Sequence, residues 1–397
     1  MPTRLRVLVG ALGPGVLPAL PDAVTGPAPD GTVLLDLGPE HPSGTGLVEL
    51  RLWVEDDRIT EATVVVGALH RGVEKLFEVR DYRQVLVLAD RHDWQAPYAA
   101  ELTVALTCER LLGLEVPTRA VWLRTLLAEH TRVLSHLGFL AWVPFRLGLL
   151  SSASPASPVS ALREALRLQL QRLTGNRVHP MINRVGGLAA DADPSWLDAE
   201  LAVLADVRSV ADRLGAWLAS TVLTDLTVGT AVLPPQLVAA YGVTGPAARA
   251  GGFEADLRAQ RPYLAYAELA ELLVATPVTT GDAYARLATL VHELRVSADL
   301  VEACVERLRS LPGDVAVRLG KVVRLPEGEA YVATEAPLGV SGVFLVSRGE
   351  RTPWRLKLRT PSFNHVSALE PLLRGLPVDA LEATLASIGY VVGDLDK

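Results

Sequence analysis

The stretch from Ala285 to Ser310 restricts the fold of this chain more than any other. Leu287, Leu290, Val291, Leu294, Ala298, Val301, Cys304, Val305 and Leu308 recur at helical spacing, so one long helix presents a continuous apolar stripe. Such a stripe has to be covered by other helices, which calls for a bundle. Its partners are legible. Pro117 opens a helix in which Trp122, Leu126, Val133 and Leu137 recur at helical spacing, and Ala161 to Leu173 reads as another, ended by Gly175. Asp193 followed by Pro194 is a cap and first-turn signal for a long helix through Leu197, Leu201, Leu204, Val207, Leu214 and Leu218.

The flanks have a different texture. Residues 1–32 are rich in Gly, Pro and Ala and read as an N-terminal extension. Residues 33–69 read as a β region. Val48, Leu50, Leu52 and Val54 alternate with Glu49 and Arg51, Glu55-Asp56-Asp57-Arg58 turns, and Ile59 to Val66 returns as a hairpin. Helices fill 70–311. From Pro312-Gly313 onward, 312–397 reads as a strand and loop region, with Val343–Val346 and Trp354–Leu358 flanking Arg348-Gly349-Glu350-Arg351. Arg355, Lys357 and Arg359 form a basic strand face, either solvated or an anion site. The expected class is α+β: a central long-helix bundle between an N-terminal β-hairpin region and a C-terminal strand and loop region.

Composition narrows the function. The chain has 397 residues, 49% of them hydrophobic, and a net charge of −7, which argues against general nucleic-acid binding. The most apolar segment, Leu134 to Leu150, contains His136, Pro144 and Arg146, so no spanning helix is expected. Arg4 and Arg6 precede an apolar stretch, but Gly10, Gly13, Pro14, Gly15, Pro18 and Pro21 would break the helix of a signal peptide. Cys108 and Cys304 stand far apart without a Cys-x-x-Cys pair, so metal or iron–sulfur ligation by this chain is not expected. An apolar surface this large points to protein partners.

Five segments carry the chemistry. Leu35-Asp36-Leu37-Gly38-Pro39-Glu40-His41-Pro42-Ser43-Gly44-Thr45-Gly46 sets a histidine between two prolines that restrict the backbone. The others are Gly67 to Lys75, Asp90-Arg91-His92-Asp93-Trp94, Pro246 to Gly252 with Asp256-Leu257-Arg258, and Pro361-Ser362-Phe363. In this order, from about Val33 to Lys397, they resemble the D subunit of the respiratory NADH:quinone oxidoreductase, complex I. That family is related to the large subunit of nickel–iron hydrogenases.

The resemblance implies a hydrogenase large-subunit-like fold and a peripheral-arm location at the cytoplasmic face of the bacterial cell membrane. It implies an enzyme only as part of a proton-translocating assembly. Partners would be a small, B-like iron–sulfur subunit, a C-like subunit and the membrane arm. Electrons would pass from NADH through FMN and iron–sulfur centres, all on other subunits, to quinone at an interface with this chain. Reducing a quinone takes two electrons and two protons, and a histidine or tyrosine suits the proton delivery.

Here the chain departs from the family. The glycine loop of the family ends HPSTHG, its second histidine contacting quinone, whereas this chain has Thr45. The tyrosine of the family's Arg-x-Asp-Tyr is Trp94, and an aspartate linked to the histidine aligns with Arg146. Thr45, Trp94 and Arg146 keep bulk or a donor but lose the dissociable proton. His41 remains nearby, and Arg91 and Asp93 are either cluster-interface positions or an ion pair tying a loop to the next helix. His70 and Arg71 read as structural, and His179, before Pro180, reads as a buried structural histidine or a residue of the pocket wall. Two functions follow: a working quinone-reducing subunit, or a scaffold paralogue that has lost quinone protonation. An arm feeding a different acceptor is a further option.

Overall fold

The apolar stripe becomes the spine of the molecule in a computed structural model that describes residues 3–9, 32–36, 48–147 and 156–397. Strands β1 (Thr3–Val9), β2 (Thr32–Asp36), β3 (Val48–Glu55) and β4 (Arg58–Val65) come first. Helices α1 (Val73–Phe77), α2 (Tyr82–Ala89), α3 (Pro97–Leu112), α4 (Thr118–Arg146) and α5 (Ala156–Thr174) follow. A two-residue ladder of β5 (Asn183–Arg184) and β6 (Gly187–Leu188) precedes α6 (Pro194–Leu218). Short helices α7 (Thr221–Thr227), α8 (Pro235–Tyr241), α9 (Gly245–Arg249) and α10 (Leu257–Gln260) lead to α11 (Ala283–Ser310). Then come β7 (Gly328–Ala336), β8 (Gly339–Ser347), β9 (Arg355–Arg359), α12 (Pro361–Ser367), α13 (Leu369–Leu373), α14 (Leu381–Ile388) and α15 (Val392–Leu395).

The expected α+β architecture is what the chain adopts. Leu287, Leu294, Val301 and Leu308 of α11 pack with Leu126 and Leu137 of α4 and Leu204 and Leu214 of α6 in one core. Both long helices start at their capping signals. Asp282 accepts from Ala285 N at 2.8 Å, and Asp193 accepts from Trp196 N at 2.8 Å with Pro194 in the first turn. The β3–β4 turn is also as read, with Asp56 and Asp57 both at positive φ, 48° and 59°, as a two-residue hairpin turn requires.

The structure corrects three expectations. Thr3–Val9 is no extension: β1 lies inside a sheet of order β2-β1-β3-β4, parallel to β2 and antiparallel to β3. Arg6 stands opposite Arg51 in that register, and Glu49 relieves the like-charge pair by bonding both, at 2.8 and 2.9 Å. The C-terminal region is strand only to Arg359; from Pro361 it is four short helices. Leu369, Leu373 and Leu385 of these helices cover the apolar face of the N-terminal sheet, at Val7, Leu50 and Ile59. The basic face of β9 is solvated only in part: Lys357 is exposed, whereas its two arginines are engaged. Arg355 pairs with Glu74 at 2.8 Å and Glu78 at 3.2 Å, and Arg359 donates to the carbonyls of Val340 and Gly242.

Between the bundle and β7 lies an ion network, buried except for the partly exposed Asp256. Glu129 of α4 accepts from Arg132 and Arg258 at 3.1 Å, Tyr266 at 2.6 Å and Ser297 at 2.7 Å. Arg258 also pairs with Asp256 at 2.7 Å, and Arg249 joins Glu293 at 2.6 Å to Glu335 at 2.7 Å. Burial alone would raise the Glu129 carboxyl, but Arg132 and Arg258 outweigh it, and it is held down at about 2. Removing this carboxylate leaves the buried Arg132 without its anion and Arg258 with Asp256 alone. Glu129→Gln is therefore expected to cost about 3–5 kcal/mol of stability, read by denaturant unfolding; a loss below about 1 kcal/mol, the range of an exposed pair, would refute this role.

Candidate functional site

Three of the five motif segments meet at one end of the fold. The turn Asp90–Gln95 joins α2 to α3, the loop Gly67–Gly72 joins β4 to α1, and Pro361–Phe363 opens α12. The residues around α15 hold them together. Asp396 accepts from the backbone N–H groups of Gly67 and Leu69 at 2.8 and 2.9 Å, and its carbonyl lies 3.1 Å from His70 Nδ1. Asp394 accepts from Ser362 N at 3.2 Å through its carboxylate and from Thr360 Oγ1 at 2.8 Å through its carbonyl. The structural reading of His70 is thus given a partner. The fourth segment, with Arg249 and Arg258, lies in the ion network instead.

A hollow of about 560 Å³ opens among these segments, walled by Leu69, Arg71, Arg91, His92, Trp94, Asp396 and Lys397. Trp94 is half-buried, and its Nε1 is shielded from solvent with no hydrogen-bond partner among the described residues. Gly393 explains its seat: a β-carbon there would fall inside the Trp94 ring and against the His92 carbonyl, so only glycine fits.

Arg91 and Asp93 do not pair with each other, which corrects that expectation. Arg91 bonds Asp90, and His179 Nδ1 approaches the same carboxylate at 2.7 Å. Asp93 is buried and turns inward, accepting from Gln95 N and Ala96 N at 3.1 and 3.0 Å, so it shapes the start of α3. Burial, and then the Asp394 carboxylate, raise the Asp93 carboxyl above the usual range. Burial would raise Asp394 as well, but His92, Ser362 N–H and Lys397 outweigh it and hold it low. Of the pair, Asp93 therefore holds its proton to higher pH than Asp394.

His41 and Thr45 lie outside the described residues, and so does the side chain of Arg146, whose backbone ends α4. Of the three positions expected to line the quinone site, the structure therefore places Trp94 alone. Two residues of the site were missed in the sequence: His92, visible between Arg91 and Asp93 but assigned no role, and Asp394, which no local pattern announces. Cys108 and Cys304 are both buried, in different core clusters. Among the described residues, no helix is long and apolar enough to cross a membrane.

The family described as the respiratory-chain NADH dehydrogenase 49 kDa subunit matches residues 150–324 and 317–397. The chain is 48% identical to the D 2 subunit of the NADH-quinone oxidoreductase of Salinispora tropica, over 92% of its own length and 93% of that protein's. It is 46% identical to the corresponding D 1 subunit of Streptomyces coelicolor, covering 94% of this chain and 97% of the relative. Among solved structures, it is similar to a chain of the membrane-bound sulfane sulfur reductase, an archaeal respiratory membrane complex. That match has a TM-score of 0.83 and 30% identity over 91% of this chain and 97% of the other.

Two outcomes follow from the geometry. Gly393→Ala is expected to displace the Trp94 indole and change tryptophan emission, and the change should vanish in a Trp94→Phe background; identical spectra would sink this. Beneath the turn, burial and then Asp90 push Glu101 up to about 8 from an ordinary 4.5. The folded chain then binds a proton that the unfolded chain has released, so this group makes stability fall as pH rises from 4.5 to 8. Glu101→Gln should flatten that fall in thermal unfolding across the window.

Proposed function

Because the chain belongs to the family of the respiratory-chain NADH dehydrogenase 49 kDa subunit, we propose that it forms the headgroup end of a quinone site in a complex I-type peripheral arm. In this reading a small iron–sulfur subunit packs over the turn 90–94, a C-like subunit and a membrane arm complete the assembly, and the chain lies at the cytoplasmic face of the membrane. The centres that carry electrons from NADH, FMN and iron–sulfur clusters, sit on the partners and deliver electrons one at a time. This chain's own residues bind and orient the quinone and manage its protons.

The hollow beside Trp94 is the observation that carries this reading. Quinone sites pair a flat apolar surface for the ring with polar groups aimed at its oxygens. The indole gives the face and an unpartnered N–H, and Arg91, Arg71 and Lys397 make the rim positive toward the charge that builds on a reduced quinone. The scaffold reading is favoured by one fact, that an indole donates a hydrogen bond yet releases no proton.

An affinity-tagged chain isolated from its own cells should carry the small iron–sulfur subunit, and the assembly should reduce quinone from NADH in an inhibitor-sensitive way. Recovery of a stable monomer without partners would overturn the assignment. Trp94→Ala is expected to lower quinone reduction by at least ~10-fold, about 1.4 kcal/mol of lost transition-state stabilisation, in a complex of unchanged composition. An unaltered rate would favour the scaffold.

A further inference from the structure

Two of the histidines buried for structure have both ring nitrogens engaged, while His136, between α4 and α11, pairs Nε2 with Glu293 and leaves Nδ1 without a partner among the described residues. His365 lies 2.8 Å from Gly389 O through Nδ1 and 3.1 Å from Thr244 O through Nε2. His130 likewise meets Glu200 at 2.7 Å and Leu166 O at 3.2 Å. His92 differs. Its Nδ1 lies 3.2 Å from Asp394 Oδ1, an ion-pair approach without hydrogen-bond alignment, while Nε2 is shielded from solvent and has no partner among the described residues. The residue is 4% exposed, and it belongs to the wall of the hollow beside Trp94.

We propose that His92 is the proton donor to a quinone bound in this hollow, with Asp394 as the positioning residue that fixes its ring and stabilises its charged form. The proposal rests on the quinone reading above and adds the identity of the acid.

The surroundings favour this assignment. Ser362 N–H and the turn at Thr360 fix Asp394, so the carboxylate cannot swing away. Asp93 stands next in the chain, turned to the backbone of Gln95 and Ala96. The other charged or titratable groups bearing on the pair are Arg91 on the same turn, Lys397 beyond α15, Arg359 at the end of β9 and His365 on α12. Imidazole is the one side-chain type in the described wall of the hollow that serves both as proton donor and as proton acceptor in ordinary acid–base catalysis. Arginine and lysine hold their protons too tightly, and Asp396 is spent on the loop backbone.

A quinone takes two electrons, one at a time, from a one-electron carrier on a partner. The N–H bond of the His92 imidazolium breaks as one quinone O–H bond forms, directly or through a single water. Solvent in the hollow supplies the second proton, and the neutral imidazole is recharged from solvent before the next turnover. Neutral His92 keeps its contact with Asp394 throughout.

The test uses the assembled membrane complex, with a short-chain quinone as acceptor and rates per assembled complex from about pH 5.5 to about pH 8.5, on either side of ~6.5. For the unaltered complex, kcat is expected to fall as pH rises past the imidazole. In His92→Gln, kcat should drop by roughly 100-fold at the acid end and lose that pH limb, with KM for quinone unchanged. In Asp394→Asn, the limb should move to lower pH, because loss of the neighbouring anion destabilises the imidazolium. A His92→Gln complex with the original kcat and pH profile would overturn the proposal and leave the quinone reading standing. If His92→Gln fails to assemble, an unshifted profile in Asp394→Asn overturns it equally. A complete complex that reduces no quinone removes both.

Discussion

The carboxylate of Glu129 is the point on which the interior is hung. It sits on the longest helix, with no exposure to solvent, and gathers guanidiniums from its own helix and from α10, a hydroxyl from α11 and a phenol from the segment between. A charge in that position is tolerable only because each of its lone pairs is occupied and two cations stand against it. The network continues through Arg249 and Glu293 to Glu335 on β7, and Arg132 donates to the carbonyls of Glu335 and Ala336. Apolar packing alone would let the bundle and the C-terminal sheet slide over each other. Directional bonds from Arg132 and Arg249 set their register.

At the other end, the fold is held by carboxylates from the short segment around α15. Asp396 fastens the loop after β4, and Asp394 ties the start of α12 to the turn carrying His92. Segments separated by more than 300 positions in the chain thus form one wall, because backbone N–H groups left over at loop and helix starts need acceptors and these two side chains supply them. Gly393 allows the last approach, laying backbone against the indole of Trp94. The hollow is a consequence of this clasp and of the missing β-carbon.

This arrangement gives a chemical sense to residues that look like losses. Trp94 provides a face and a donor but no acid. In the proposed reading the acid of the described wall is the imidazole two positions earlier, beside the Asp394 carboxylate. Relocating a proton donor by two residues across a turn leaves the helices on either side unchanged, so such a change is structurally cheap.

Much of the architecture was legible in the residues themselves. The stripe on Ala285–Ser310, the Asp193-Pro194 start and the Val48–Val66 hairpin depend on local periodicity and capping, which act over a few positions and leave a pattern in sequence. Strand β1 was not legible, because its seven residues become a strand only by pairing with β3, and isolated they give too short an alternation beside a Gly- and Pro-rich stretch. The helices after Pro361 escaped for a related reason: each is short and is stabilised by lying on the N-terminal sheet. The motif residues could be found by spacing. That Arg91 turns to Asp90, that Asp93 faces inward, and that Asp394 meets His92 were decided by tertiary contact alone, since Coulomb and hydrogen-bond partners are chosen by distance in space and the sequence records only distance along the chain.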